Sequence, residues 1–214
     1  MTRRQSYSQQ VFPMTAEFTA CLKKLKGAGV KVMLGFVWTG FDGFKAEILD
    51  KNLPPTRDNA DLERDLTEML YPHILRAIPS QLPYYLQHEK KEREQATPGR
   101  QPPEPDLSFV LFSNLRVTFP MDAKVLERDT VAGMADYADT VQNRFVSCVY
   151  APFSREGAMI AFLLAGSVRT VFHSLGTAMN CTISRRAYIA SRNHKTSSHV
   201  RSAATCKWPG VSQR

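Results

Sequence analysis

The most regular hydrophobic pattern in the chain is a pair of apolar runs, residues 109–112 and 115–119, separated by a Ser-Asn pair. Both runs are rich in β-branched and aromatic residues, and a short polar pair between two such runs is typical of a β-hairpin. If the turn is centred on Asn114, antiparallel pairing joins residues whose numbers add up to 228. The pattern therefore predicts a hairpin in which Asp106 lies opposite Asp122.

Helical and continuous apolar patterns predict further elements on both sides of the hairpin. Apolar residues at helical spacing predict helices at residues 16–26, 58–78, 131–145 and 158–179, the last interrupted near Gly166. Continuous β-prone runs predict strands at residues 30–38, 83–88 and 146–150. The stretch from residue 89 to 105 is charged and rich in proline and glycine, which predicts a mobile loop that leads into the hairpin.

Charged residues gather at the open end of the predicted hairpin. Side chains alternate along a strand, so Asp122 and Lys124 lie on one face and Ala123 on the other. Two carboxylates, Asp106 and Asp122, therefore meet one ammonium group. Hard oxygen ligands close together suit a divalent cation such as Mg²⁺, and a neighbouring lysine can hold a water or neutralise a phosphate. The alternative is an ordinary hairpin whose Asp and Lys residues are solvated.

The spacing of these residues resembles that of the PD-(D/E)xK nucleases, the restriction-endonuclease-like superfamily. Pro105 and Asp106 correspond to the PD pair, and Asp122, Ala123 and Lys124 correspond to the (D/E)xK triplet. The resemblance implies a phosphodiesterase that depends on Mg²⁺ or Mn²⁺. It also implies that Asp106, Asp122 and the carbonyl of Ala123 hold the metal. In the same way it implies that Lys124 orients the attacking water.

The resemblance further implies an α/β fold with a mixed central β-sheet flanked by helices, the restriction-endonuclease-like core. The predicted order of helix, strand, hairpin, helix, strand and helix agrees with this fold. In this superfamily a helix before the hairpin often adds an acidic residue to the metal site. In helix 58–78, Glu63 lies on the edge of the apolar face, Asp65 is intermediate and Glu68 points away. We therefore predict Glu63 as a further metal ligand, with a solvated helix carboxylate as the alternative.

The formal net charge is +8, and most of the positive excess lies in the last sixth of the chain, which contains no Asp or Glu. We divide the chain into a helix/strand extension at 1–51, a nuclease-like core at 52–180 and a basic strand and tail at 181–214. Such a basic segment suits a polyanion such as nucleic acid. The residues predicted to contact nucleic acid are Arg185, Arg186, Arg192, Lys195 and Arg201. The alternative is a tail that serves solubility or non-specific contact.

Other patterns narrow the class of protein and its location. The sequence contains no G-x-G-x-x-G, G-K-[ST] or G-x-S-x-G motif, so hydrolysis of nucleoside triphosphates and α/β-hydrolase chemistry are not indicated. No apolar stretch follows the N-terminal arginines, and the most apolar segment is too polar for a membrane span. The four cysteines are scattered and form no C-x-x-C pair, which predicts reduced thiols in the cytoplasm.

Together these features predict a metal-dependent nuclease that hydrolyses phosphodiester bonds of DNA, with RNA as the second substrate to consider. By family analogy, such a nuclease would serve bacterial defence or mobile-element processing. The alternative is a non-catalytic subunit that binds nucleic acid or acts as a scaffold with other protein subunits in a larger assembly. The two hypotheses differ at the open end of the hairpin, where a nuclease must bring its carboxylates and lysine together around a cation.

Overall fold

The computed structural model describes residues 27–51, 59–93, 98–150, 152–154 and 156–181, together with residues 20, 23, 183–184 and 196–197. Its helices are α1 (Ala28–Glu47), α2 (Asn59–Ala77), α3 (Ala135–Thr140) and α4 (Val168–Ala178). Its strands are β1 (Tyr84–His88), β2 (Leu107–Leu111), β3 (Asn114–Leu126), β4 (Ala158–Leu163), β5 (Ile183–Ser184) and β6 (Thr196–Ser197). Two 3₁₀ turns, Leu49–Lys51 and Ala132–Met134, and a π-helical segment, Val141–Val146, complete the described elements. Most of the helix predicted at 16–26 lies outside the described residues.

The main sheet has four strands in the order β1-β2-β3-β4. Strands β1, β2 and β3 are antiparallel neighbours, whereas β4 runs parallel to β3. Strands β5 and β6 form a separate antiparallel pair. The mixed sheet with flanking helices confirms the predicted α/β class. The strand predicted at 83–88 is confirmed as β1.

The pairing of the hairpin arms follows the predicted register. Leu107 lies opposite Met121, so the paired numbers add up to 228 along most of both arms. The predicted turn centre is wrong, because Leu111 pairs with Asn114 and the turn consists of the two residues between them. A shift in the pairing next to Leu111 absorbs the difference, as a β-bulge does. The register near the open end is therefore unaffected by the turn.

The strand predicted at residues 30–38 is wrong, because this segment lies within helix α1. Val30, Met33 and Leu34 are buried, while Val32 is largely exposed. This spacing of three and four residues is that of one helix face. The apolar residues of the segment therefore bury a helical stripe, and their β propensity is overridden by packing.

Two predictions after the hairpin are also corrected. Residues 146–150 end a helical segment and form a turn, so they are not the predicted strand. The helix predicted at 158–179 is a strand in its first part, because Ala158–Leu163 forms β4 and pairs with β3. The predicted interruption near Gly166 is confirmed, since α4 begins at Val168. The order of helices and strands still agrees with the prediction, but the strand expected at residues 146–150 lies instead at Ala158–Leu163.

The main hydrophobic core lies between the helix pair α1–α2 and one face of the sheet. Its largest fully buried side chains include Met33, Phe44, Ile74, Phe109 and Phe119. Gly40 of α1 permits close helix packing, since a Cβ at this position would lie 2.6 Å from backbone atoms of Ile74 in α2. This packing holds α2 against the sheet. The first turns of α2 are thereby fixed next to the end of β3.

The segment predicted as a loop, residues 89–105, contains no strand or α-helix in its described parts, so the loop is confirmed there, while its mobility stays a prediction. In the described parts of the loop, Lys90 and Glu92 are buried, and the Glu92 N–H donates to the carbonyl of Pro103 at 2.7 Å.

Cys148 is disulfide-bonded and Cys181 is a free thiol, so the prediction of four reduced thiols is wrong at Cys148. Cysteines far apart in sequence can still be brought together by the fold. No helix within the described ranges is long and apolar enough to cross a membrane.

Candidate active site

The open end of the hairpin brings the two predicted aspartates together. Asp106 immediately precedes β2, and Asp122 lies on β3 at the position that the register places opposite it. The Ala123 N–H donates a hydrogen bond of 2.6 Å to Oδ2 of Asp106. This bond fixes the Asp106 carboxylate beside the backbone of β3. The hairpin thus supplies one carboxylate from each arm.

Helix α2 adds a third carboxylate through Glu63. Its Oε1 accepts a hydrogen bond of 2.6 Å from the Lys124 ammonium, and its Oε2 accepts one of 3.2 Å from the Val125 N–H. Both side chains of the ion pair are mostly shielded from solvent, with 25% of Glu63 and 20% of Lys124 exposed. The choice of Glu63 from the helix pattern therefore identified the residue that reaches β3. Its role as a metal ligand stays a prediction.

Asp122 is the most deeply buried carboxylate of this group, with 7% of its side chain exposed. Its Oδ2 lies 3.5 Å from the Lys124 Nζ, and it also forms a side-chain hydrogen bond with Tyr150. The Tyr150 hydroxyl lies 3.2 Å from the carbonyl oxygen of Glu104, to which it can donate. Tyr150 therefore connects the carboxylate on β3 to the chain that leads into Asp106.

Tyr150 is a site residue that the sequence patterns missed. It ends the stretch 146–150 that was predicted as a strand, and only the fold brings it to Asp122. One weak signal was available, because a buried tyrosine hydroxyl usually finds a hydrogen-bond partner. Nothing in the local sequence indicates which partner that is.

The electrostatics of the two aspartates favour their neutral forms when no cation is present. Burial, followed by the charge of Asp122, raises the pKa of Asp106 to about 7, although the Ala123 hydrogen bond and the charge of Lys124 oppose that shift. Burial also raises the pKa of Asp122, although Lys124 and Tyr150 oppose that shift. Two crowded, partly desolvated carboxylates disfavour the doubly ionised state. A cation would relieve this repulsion.

Lys124 and Tyr150 keep their protons in this environment. Burial alone lowers the pKa of Lys124, but the Glu63 hydrogen bond and the charges of the surrounding carboxylates outweigh it, so the net shift is upward. Burial and the charge of Asp122 raise the pKa of Tyr150. The site therefore combines one ammonium, one neutral phenol and three carboxyl groups. When all three carboxyl groups are ionised, negative charge is in excess.

The arrangement of Asp106, Asp122 and Glu63 suits a cation that is bound by two of these carboxylates better than a cation that is bound by all three. Across the described residues, no three His, Cys, Asp or Glu side chains are grouped so that they could hold a metal ion together. The physical reason is that both Glu63 oxygens accept hydrogen bonds from β3. Asp106 and Asp122 remain as oxygen donors, and Mg²⁺ commonly binds one or two carboxylates while it keeps several waters.

Comparison with known proteins finds no relative of the chain. No protein-family model matches it, and neither the curated proteins nor the solved structures give a match. Function is therefore inferred from the chemistry of the site itself. The residues predicted to contact nucleic acid, Arg185, Arg186, Arg192, Lys195 and Arg201, lie outside the described residues.

Proposed function

We propose that the protein is a divalent-metal-dependent nuclease with a restriction-endonuclease-like core, acting on phosphodiester bonds of DNA. The observation that carries this proposal is a pair of carboxylates, the buried Asp122 and the partly buried Asp106, supplied by opposite arms of one hairpin beside the Lys124–Glu63 ion pair. Such a group has more negative charge than its one lysine can neutralise. Perturbed titratable groups of this kind are common at functional sites.

Each residue has a defined role in this proposal. Asp106 and Asp122 hold Mg²⁺ or Mn²⁺, and Glu63 is a further ligand if it leaves Lys124. A bound divalent cation of this type polarises a phosphoryl oxygen and lowers the pKa of a bound water. Lys124 keeps its ammonium charge at the site and can orient the water or neutralise charge on the phosphate. Tyr150 keeps the Asp122 carboxylate in place.

A cleavage assay tests the proposal directly. Purified protein is incubated with plasmid DNA, single-stranded DNA and RNA in the presence of Mg²⁺, Mn²⁺ or EDTA. We expect cleavage of DNA that requires the divalent ion and is absent in Asp122→Asn. If the wild-type protein cleaves none of these polymers with either metal, the nuclease proposal is wrong. Cleavage of RNA alone would keep the chemistry and change the substrate.

The basic tail supports nucleic acid as the substrate. We propose that its residues contact phosphates, so that binding weakens with salt by about 0.9 log unit of slope per phosphate neutralised on duplex DNA. Charge reversal at Arg192, Lys195 and Arg201 together should lower both the affinity and this slope. An unchanged affinity and slope in the triple variant would move the nucleic-acid contacts to another surface.

One observation favours the alternative of a non-catalytic subunit that binds nucleic acid or acts as a scaffold. Glu63 and Lys124 satisfy each other at 2.6 Å, so this pair is stable without a metal. A non-catalytic protein would show salt-dependent DNA binding without cleavage and without a metal requirement. The cleavage assay and a binding titration in EDTA therefore separate the two functions. A role in bacterial defence or mobile-element processing stays a prediction.

A further inference from the structure

Arg144 lies next to the candidate active site without belonging to its network of hydrogen bonds. It is part of the π-helical segment Val141–Val146, and its guanidinium carbon lies 5.9 Å from the centre of the Tyr150 ring. The side chain is exposed. Among the described residues Arg144 forms no ion pair, so its charge is not neutralised by a carboxylate there.

The Tyr150 ring, over which the Arg144 guanidinium lies, is held in place by its neighbours. Tyr150 is buried, and its ring packs edge-on against Phe145 with centroids 5.4 Å apart. Its hydroxyl contacts Asp122 and the carbonyl of Glu104. A cation over an aromatic face is attracted by the ring quadrupole. The exposed guanidinium is thereby held over the ring whose hydroxyl contacts the Asp122 carboxylate.

A nucleic-acid backbone that approaches this site meets an unfavourable charge balance. Three carboxyl groups surround a single ammonium, and that ammonium already donates to Glu63 at 2.6 Å. A phosphate next to the cleaved one therefore needs an additional positive group. A planar guanidinium offers paired N–H donors that match phosphate oxygens, which a lysine ammonium does not.

We propose that Arg144 binds a backbone phosphate of the nucleic acid beside the carboxylate site, with the Tyr150 ring as its platform. This inference rests on the proposed nuclease function. It assigns a substrate-binding residue to the part of the chain that the structure describes, in addition to the residues predicted in the basic tail. It also explains why an exposed arginine without an ion pair among the described residues lies over the ring of Tyr150, which is hydrogen-bonded to Asp122.

Steady-state cleavage kinetics at several salt concentrations test the inference, with Arg144→Ala, Arg144→Lys and a matched control. The control is Arg169→Ala, which removes the same charge from an exposed position on α4. Arg144→Ala should lower kcat/KM by about 10- to 100-fold, the range of a hydrogen bond to a charged group. Arg144→Lys should recover part of that loss, and Arg169→Ala should change kcat/KM less than about twofold.

The salt dependence separates phosphate binding from a structural role. Loss of one phosphate contact should reduce the slope of log kcat/KM against log salt by about 0.9 in Arg144→Ala. Tyr150→Phe removes the hydroxyl but keeps the ring that supports Arg144. Adding Arg144→Ala to Tyr150→Phe should therefore still reduce the slope. If Arg144→Ala matches Arg169→Ala in both kcat/KM and slope while the wild type cleaves DNA, the inference about Arg144 is wrong and the nuclease function stands. A wild-type protein that cleaves no nucleic acid would overturn both.

Discussion

Two lysine–carboxylate groups in this protein are shielded from solvent but differ in the number of carboxyl groups around the lysine. Lys90 pairs with Glu92 at 3.5 Å, with 11% and 3% of their side chains exposed. Lys124 contacts both Glu63, at 2.6 Å, and Asp122, at 3.5 Å, and Asp106 lies beside them. In the first group, one ammonium contacts one carboxylate. The second group surrounds one ammonium with three carboxyl groups.

The comparison indicates that charge imbalance, more than burial, distinguishes the candidate site. In the Lys90–Glu92 pair, the attraction between the opposite charges offsets part of the cost of burying them. In the group around Lys124, the charge of Asp122 adds to burial in raising the pKa of Asp106. Burial and the charge of Glu63 raise the pKa of Asp122. This repulsion between carboxylates is relieved by a proton or by a divalent cation. Of these two groups, the one around Lys124 is therefore the one that we propose to bind a metal.

The largest expected effect is the loss of cleavage in Asp122→Asn. Removing this carboxylate removes one of two oxygen donors for the cation, so we expect cleavage to fall to the level measured in EDTA. The fold should persist, because asparagine keeps the shape of the side chain and relieves the carboxylate repulsion. Circular dichroism and the cleavage assay check both parts. Cleavage that survives this change would show that Asp122 is not a metal ligand.

The Lys90–Glu92 pair should respond in the opposite way. Glu92→Gln leaves the Lys90 ammonium buried without its carboxylate, which should lower the free energy of unfolding by about 3–5 kcal/mol. Urea denaturation measures this loss. Because Glu92 lies outside the active site, the cleavage rate of the folded fraction should stay unchanged. A stable Glu92→Gln variant with impaired cleavage would invert the assignment of the two groups.

Lys124→Ala should separate chemistry from binding. We expect kcat to fall by about 100-fold, as for other positioned groups that handle protons or water in the transition state. DNA affinity should stay close to that of the wild type, since the basic tail is unchanged. The variant should also be less stable in EDTA than with Mg²⁺, because three carboxyl groups lose their only ammonium. Equal stability in both conditions would argue against a cation at this site.

A further effect is a pH dependence of stability that Asp106 causes in EDTA. Its pKa is about 7 in the folded protein, against 3.8 for an ordinary aspartate. The folded state therefore keeps a proton that the unfolded state loses, and this contribution to stability declines as pH rises from about 4 to 7. Asp106→Asn should make the decline smaller, whereas Asp136→Asn, at an exposed position on α3, should leave it unchanged. Unfolding midpoints from pH 4.5 to 7.5 measure the difference, and parallel curves for wild type and Asp106→Asn would contradict it.

The sequence predicts the site better than it predicts the elements around it. Asp106, Asp122 and Lys124 follow from strand pairing within one hairpin, and Glu63 from the edge of one helix face. These are local relations with fixed periodicities. The continuous apolar run of β4, by contrast, has no periodicity that distinguishes a strand from a buried helix. It becomes a strand because it pairs with β3.

Tyr150 and Arg144 show the other limit of the sequence. Their place at the site depends on how the segment after β3 folds back over the hairpin, and the patterns misassigned residues 146–150. The segment 30–38 was misassigned for a related reason. Its β-prone residues pack as a helical stripe against α2 and the sheet, and that partner is known only from the tertiary structure.

The most direct test of the central claim is a calorimetric titration of Mn²⁺ into the wild-type protein and Asp122→Asn. The titration is done at about pH 8, above the pKa of about 7 of Asp106, so that both aspartates can ionise on binding. Our account predicts saturable binding to a single site in the wild type and its loss in Asp122→Asn, while Glu92→Gln binds like the wild type. Equal binding in wild type and Asp122→Asn, or no binding in the wild type, would contradict it.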